Sequence, residues 1–271
     1  MADARKEERR RLTGMFPKLI TIGKFFIPTY GTLVALGFLV GLWITIRLAR
    51  RAKLPIEPVT NLAIYCALAG LVGAKLFMIL FDFKQYWADP GSLFSISTLQ
   101  AAGVYQGGFL LALVTAILYM RRNRLPAFDT CDVFVPGLAA GQAIGRLGCF
   151  AAGCCWGTEC DRPWAVTFRN LEAHDLTNVP LGIPLHPAQL YEVLADALIF
   201  AALYWMIRRP HPSGAIIGWY LTLYSGARFV IEFFRFHEQG LHFGLSLTQW
   251  ISLGTLAAGV LLLITRRVRN A

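Results

Sequence analysis

The sequence predicts an all-α fold, a polytopic transmembrane bundle of about seven helical spans. Three observations carry that prediction. The 271 residues are 56% hydrophobic and only 15% charged, where soluble domains carry about 25% charge. Several segments approach or exceed the roughly 20 apolar residues that cross a hydrocarbon layer. The basic residues, which set a formal net charge of +10, sit in short clusters at the ends of the apolar runs. That placement argues against a nucleic-acid partner and for membrane lipid, whose anionic headgroups attract juxtamembrane Lys and Arg. The alternation of a membrane β-barrel is missing.

Residues 1–18, rich in Arg, Lys and Glu, read as a basic N-terminal tail. No cleavable signal peptide is evident, because residues 2–18 are too polar and the first apolar run is long with charged flanks. Residues 19–27 (LITIGKFFI) read as interfacial, and Pro28 precedes the first span at about 29–47. The second span is placed at about 60–82, with Gly70, Gly73 and Ala74 as a small-residue packing face. A polar stretch, DFKQYWADPGS, separates it from the third, at about 103–120, which stops at RRNR. The fourth, at about 129–152, delivers Arg146. Residues 153–185 are polar and contain proline, and are expected to form a small extracytoplasmic head segment between spans four and five. Spans five, six and seven follow at about 188–207, 214–234 and 245–265. With no internal repeat visible, residues 1–271 read as a single integral membrane domain.

Spans one, three, five and seven end in basic clusters: Arg47, Arg50, Arg51 and Lys53; Arg121, Arg122 and Arg124; Arg208 and Arg209; Arg266, Arg267 and Arg269. The opposite connections hold Lys84, Arg162 and Arg169. Basic loops stay cytoplasmic, so the C-terminus is expected in the cytoplasm, and the N-terminus and residues 153–185 outside. The tail, with Arg5, Lys6, Arg9, Arg10, Arg11 and Lys18, runs against that count.

Four stretches carry polar chemistry inside this apolar chain. The first is GQAIGRLGCFAAGCCWGTEC, residues 141–160. A guanidinium cannot be deprotonated at working pH, and at bilayer depth it needs an anion, a polar partner or a wet cavity. Arg146, flanked by Gly145 and Gly148, reads as a site for an anionic group in or at the membrane, with interfacial snorkelling as the alternative. The second is YSGARFVIEFFR, where Tyr224, Arg228, Glu232 and Arg235 fall on one helical face at i, i+4, i+8 and i+11. An Arg228–Glu232 ion pair is compatible with either structure or function. The third is HPAQLYE, with His186, Gln189, Tyr191 and Glu192 near the start of span five and Pro187 at its favoured place. The fourth is Tyr105-Gln106-Gly107-Gly108, which opens span three on the same outer side.

The cysteines at 149, 154, 155 and 160 do not match C-x2-C zinc spacing, so no metal is assigned to them. Two other readings stay open: a disulfide involving Cys160, and a thiol poised beside Arg146. Cys66 and Cys131 read as packing residues.

Taken together, these stretches resemble the prolipoprotein diacylglyceryl transferase family. Four places carry the likeness: Tyr30-Gly31 at the first span; GRLGCFAAGCCWG at 145–157, similar to the family signature Gly-Arg-x-Gly-Asn-Phe-x-Asn-x-Glu; HPAQLYE at 186–192; and YSGARFVIEFFR at 224–235. The resemblance implies a seven-span inner-membrane enzyme with its active site toward the outer leaflet. Its partners would be phosphatidylglycerol and the lipobox cysteine of a prolipoprotein signal peptide. The diacylglyceryl group moves onto that thiol as a thioether, glycerol phosphate leaves, and no metal or organic cofactor takes part.

On that likeness Arg146 and Arg228 hold the lipid phosphate, with Tyr30, Tyr105 and Gln106 as the remaining catalytic candidates. Gly145, Gly148, Cys149, Cys154, His186, Gln189, Tyr191, Glu192, Tyr224, Glu232, Arg235, Gly107 and Gly108 would bind substrate. The chain departs from the pattern at telling places. Gln106 stands where the family has histidine, and a neutral amide is no general base. Cys149, Ala152 and Cys154 stand where the signature has two Asn and a Glu. Lys75 stands where the family often has Arg. Three alternatives therefore remain: a transferase using phosphatidylglycerol with another acceptor, such as one of its own cysteines; a non-catalytic lipid-binding paralogue; and, on the cysteine cluster alone, a metal-handling membrane protein.

Overall fold

The computed structural model describes residues 16–22, 25–89, 91, 98, 103–236 and 240–268. Residues 1–15 of the predicted tail and Arg269 of the last basic cluster lie outside them. The elements, in order, are strands β1 (Lys18–Ile22) and β2 (Phe25–Pro28), then helices α1 (Thr29–Arg51), α2 (Ile56–Phe81), α3 (Phe83–Ala88), α4 (Tyr105–Arg122) and α5 (Ala127–Ala152). Strand β3 (Val166–Thr167), helix α6 (Leu171–Thr177) and strand β4 (Pro184–Leu185) make up the segment that follows. Helix α7 (Ala188–Met206), helix α8 (Ala215–Ile231), a 3-10 turn (Glu232–Phe234) and helix α9 (Leu247–Val268) complete the elements of the described residues.

The fold is mostly helical, and its long helices sit on the apolar runs of the sequence. Among the described residues, five are long and apolar enough to cross a membrane: Thr29–Arg51, Ile56–Phe81, Ala127–Ala152, Ala188–Met206 and Leu247–Arg266. Helices α4 and α8 are shorter, at 18 and 17 residues. Large apolar side chains face outward along these helices, Leu39, Leu71, Leu194 and Leu261 among them. Such a surface is stable against lipid tails and not against water. At the end of α7 the guanidinium of Arg208 lies over the Tyr204 ring and that of Arg209 over Trp205, an arrangement suited to a membrane–water boundary.

The chain divides into two compact units, one of residues up to Thr45 and from Cys131 onward, the other Ile46–Thr130. In the first, α1 and α5 pack through reciprocal small residues. A methyl on Gly37 would meet the Gly141 carbonyl oxygen at 2.6 Å, and one on Gly41 the Gly137 oxygen at 2.7 Å. Backbones this close gain dispersion contact that survives in lipid. Val135, Ala139, Ile199, Leu203, Ile216 and Tyr220 form the core between α5, α7 and α8. Asp132, 2% exposed, caps α8 across the interface by accepting the N–H groups of Gly214 (2.7 Å) and Ile217 (2.8 Å). In the second unit, Gly70 and Gly73 of α2 meet Gly107 and Gly108 of α4, the packing face expected of Gly70 and Gly73.

One expectation gains detail and one is corrected. The stretch read as interfacial holds β1 and β2, which pair as an antiparallel hairpin. The hairpin is tied to α6 by Lys18–Glu172 at 3.2 Å and to α1 by the Thr29 N–H on the Pro17 oxygen. The sixth span was read through residue 234, but α8 ends at Ile231 and the chain tightens into a 3-10 turn before becoming extended at Arg235. Residues 153–185 build a small core of their own from Phe168, Ala173, Val179 and Leu185, covered by Phe150 and Trp156. Asn170 caps α6 by accepting the N–H groups of Glu172 and Ala173.

Candidate anion-binding site

The centre of the site is a carboxylate. Glu192, on the second turn of α7, is 5% exposed, and three guanidiniums reach it. Arg146 of α5 places Nε 2.7 Å from Oε2. Arg228 of α8 places Nη1 on Oε1. Arg235 places Nη1 3.3 Å from the same oxygen. Arg228 also turns Nη2 to Glu232 Oε2 at 2.8 Å. Glu232 is fixed in turn by Ser246, whose hydroxyl donates to Oε1 at 3.1 Å. Ser246 is held by reciprocal bonds with Gln249 at the start of α9. Arg235 therefore joins the cluster from an extended residue past the 3-10 turn, not from the helical face that the i+11 spacing predicted, since α8 has already ended.

Buried ion pairs are worth keeping only with good geometry, and removing one partner costs about 3–5 kcal/mol. Here three positive groups share two carboxylates, Glu192 and Glu232. Each guanidinium carries five N–H donors. Arg146 engages Glu192 through Nε. A small cleft lies at this point, lined by Arg146, Glu192, Asp196, Tyr224, Arg228 and Ile231. Asp196, one turn beyond Glu192 and 4% exposed, went unrecognised in the sequence. The signal was present, since an ionisable residue inside an apolar span is a functional candidate by default.

Beside the cluster, the 156–160 segment threads between two others. The Gly157 N–H donates to the His186 oxygen at 3.0 Å, the Thr158 N–H to Phe234 at 2.9 Å, and the Phe236 N–H to Trp156 at 3.2 Å. A methyl on Gly157 would sit 2.5 Å from the carbonyl oxygens of both His186 and Phe234, so only glycine fits here. This anchoring carries Arg235 to Glu192. His186 Nδ1 lies 2.9 Å from the Tyr191 hydroxyl, which also accepts the Trp164 indole N–H at 2.8 Å. Both rings pack on Phe234.

The signature loop brings the thiols together. Sγ of Cys149, Cys154 and Cys155 all lie within 4.8 Å of one another, a grouping the linear spacing hid. Hydrogen bonds from Cys149 and Cys154 hold the Cys155 thiol well below its usual range, with Arg235 and Arg146 adding to the effect, while the same sharing pushes Cys154 up. Cys160 is free and buried, so the disulfide considered for it is not formed; its sulfur accepts the Arg162 N–H at 3.4 Å. Gln189 is fully buried and donates to the Cys154 oxygen at 2.7 Å.

Tyr30, at the start of α1, presents its backbone to Gly148, and its phenol is in electrostatic reach of Arg146 and Cys149. Gly145 packs loosely on Val34. Tyr220 stacks on Tyr224 and donates to Gln142 at 2.9 Å. Tyr105, Gln106, Gly107 and Gly108 belong to the second unit. There Tyr105 and Gln106 are exposed and the two glycines buried against α2. Lys75 of the same unit donates to the Thr98 oxygen at 2.6 Å.

Comparison with known proteins adds an independent finding. Residues 17–265 match the family model described as prolipoprotein diacylglyceryl transferase. The chain is 30% identical over 256 residues to the phosphatidylglycerol–prolipoprotein diacylglyceryl transferase of Clostridium tetani, covering 94% of this chain and 100% of that one. It is 32% identical to the enzyme of the same name from Vibrio parahaemolyticus, with 92% and 89% covered. It is also 32% identical to that of Synechococcus elongatus, with 94% and 88% covered.

Proposed function

The chain belongs to the prolipoprotein diacylglyceryl transferase family, and from that premise and the convergent arginines we propose that it moves a diacylglyceryl group from phosphatidylglycerol to the lipobox cysteine of a prolipoprotein. The observation that carries this reading is the surplus of guanidiniums around Glu192, beside a cleft in an otherwise apolar chain. The thiol sulfur attacks the diacylglyceryl carbon that bears the phosphate ester. A C–S bond forms, the C–O bond to phosphate breaks, and glycerol phosphate leaves. Negative charge grows on the departing phosphate, and arginines aimed there stabilise it. Arg146 and Arg228 take that role, with Arg235 behind them. Glu192 and Glu232 hold the three forks in place, which lowers the cost of ordering them when lipid arrives.

In this reading Gly145 and Gly148 let the headgroup approach the end of α5, and Tyr30 and Tyr224 border it. His186, Gln189 and Tyr191 shape the side where the signal peptide docks. Tyr105 and Gln106 as catalytic candidates, and Gly107 and Gly108 as substrate-binding ones, are carried over from the family likeness alone. The seven long helices all act as spans, the two short ones included. Residues 153–185 form the extracytoplasmic head, the C-terminus is cytoplasmic, and the site opens to the outer leaflet of the bacterial inner membrane. The four internal basic clusters support that orientation.

The test is release of glycerol phosphate from phosphatidylglycerol by the purified protein, with and without a lipobox peptide. Peptide-dependent release that Arg146→Ala and Arg228→Ala each abolish is the expected result. Peptide-independent release points to another acceptor, and lipid binding without release points to a non-catalytic paralogue; either result overturns the proposal.

A further inference from the structure

The end of α5 and the loop after it gather three thiols whose arrangement phosphate binding does not require. Sγ of Cys149, Cys154 and Cys155 lie within 4.8 Å of one another. Sulfurs at about 2.3 Å from one metal ion stand about 3.8 Å apart in a tetrahedral set. Closing around an ion therefore asks for about an ångström, which small side-chain rotations supply. The backbone is bent to make the set. Gly153 at φ +77 and Cys155 at φ +62 both turn left-handed, and the Cys154 N–H returns to the Cys149 oxygen at 3.1 Å. Positive φ at a non-glycine residue is uncommon and gathers at sites that hold ligands. A second layer supports the loop: Gln189, fully buried, holds the Cys154 carbonyl. Its own Oε1 has no hydrogen-bond partner among the described residues. The ligand set is all sulfur, which favours soft ions.

We infer that Cys149, Cys154 and Cys155 bind one thiophilic divalent ion of the zinc type, and that its open fourth position takes the lipobox thiol of the substrate as a thiolate. The first half stands on the cluster alone; the second rests on the transferase reading. Three protein ligands and one open position are the arrangement of a catalytic zinc site. The chemistry has a need for it. The reaction alkylates a thiol that is mostly protonated at neutral pH, and Gln106 is a neutral amide. A thiol that coordinates a dication is deprotonated outright. The balance is complete without oxidant or reductant. The lipobox thiol gives up its proton on coordination, its sulfur forms the C–S bond as the C–O bond breaks, and the released glycerol phosphate takes up one proton. The thioether product, a weaker ligand than a thiolate, leaves the ion. Arg146 and Arg235, both in electrostatic reach of Cys155, offset the thiolate charge. Nucleophile and leaving phosphate are thus held from the same end of α5.

The experiment uses the full chain in phosphatidylglycerol nanodiscs under reducing conditions, loaded with cobalt(II) in place of zinc. One cobalt per chain is expected, with the near-ultraviolet thiolate-to-cobalt band of three sulfur ligands. Lipobox peptide should raise that band by about a third, as four thiolates replace three, and the same peptide with serine for cysteine should not. Cys149→Ser and Cys155→Ser should each reduce the band and the metal affinity. The cobalt titration of the unaltered chain needs no variant, so misfolding cannot mimic the result. Failure to hold one ion per chain, an unchanged band in both serine variants, or no response to the peptide thiol overturns the inference. Full glycerol phosphate release by Cys155→Ser also overturns it while the transferase reading stands. Thiol capture without glycerol phosphate release does the reverse.

Discussion

Two buried carboxylates on neighbouring helices differ in the partners that meet them. Asp132 and Glu192 are 2% and 5% exposed. Asp132 accepts the backbone N–H groups of Gly214 and Ile217. These are the orphan donors of a helix start, which need an acceptor in any case. Glu192 is met by three guanidiniums from α5, α8 and the chain beyond the 3-10 turn. With Glu232, two carboxylates meet these three guanidiniums, beside a small cleft that Asp196 also lines. The first arrangement joins a carboxylate to backbone donors; the second gathers mobile cationic side chains from three parts of the chain. Burial and charge alike describe both residues, so the chemistry of the partners is what separates them.

Substitutions at the two carboxylates and their partners should separate these roles. Arg146→Ala and Arg228→Ala should each lower glycerol phosphate release by about 100- to 1000-fold, the usual loss for one donor to a developing anion. Glu192→Gln should lower kcat by roughly tenfold without weakening phosphatidylglycerol binding, since the forks lose their alignment while keeping their charge. A lipid titration beside the rate assay separates the two terms. Asp132→Ala should cost about 0.5–2 kcal/mol of stability, as lost helix caps do. Turnover per folded molecule should stay unchanged, which thermal unfolding in detergent and an active-fraction assay would check. Gln106→His should change the rate least, by under about threefold. A side-chain base that the reaction needed would bring about 100-fold or more.

Much of this was legible in the chain. The apolar runs marked the helices because apolar length and basic ends are local properties, and Pro55 explains why α2 begins at Ile56, earlier than its apolar run. Arg146, Arg228, Glu232 and Glu192 each stood out as a charge in an apolar setting. The pairing of Arg146 with Glu192 did not, because the two are 46 positions apart on separate helices and spacing says nothing about such contacts. Arg235 was found for the wrong reason: a helical face was extended through a point where the backbone leaves the helix. The cysteine trio was hidden for a related cause. Left-handed turns at Gly153 and Cys155 fold Cys154 and Cys155 back on Cys149, and a zinc pattern read in linear spacing does not include such a reversal. Asp196 carried a readable signal and was passed over.

In the proposed reaction the arginines around Glu192 hold the phosphate of phosphatidylglycerol while a lipobox thiol displaces it. The mass of a lipobox peptide after incubation with the reduced protein and phosphatidylglycerol tests that most directly. The peptide should gain one diacylglyceryl group with the unaltered chain and none with Arg146→Ala or Arg228→Ala. A peptide that gains nothing while lipid is bound, or that gains the group equally with both variants, would contradict it.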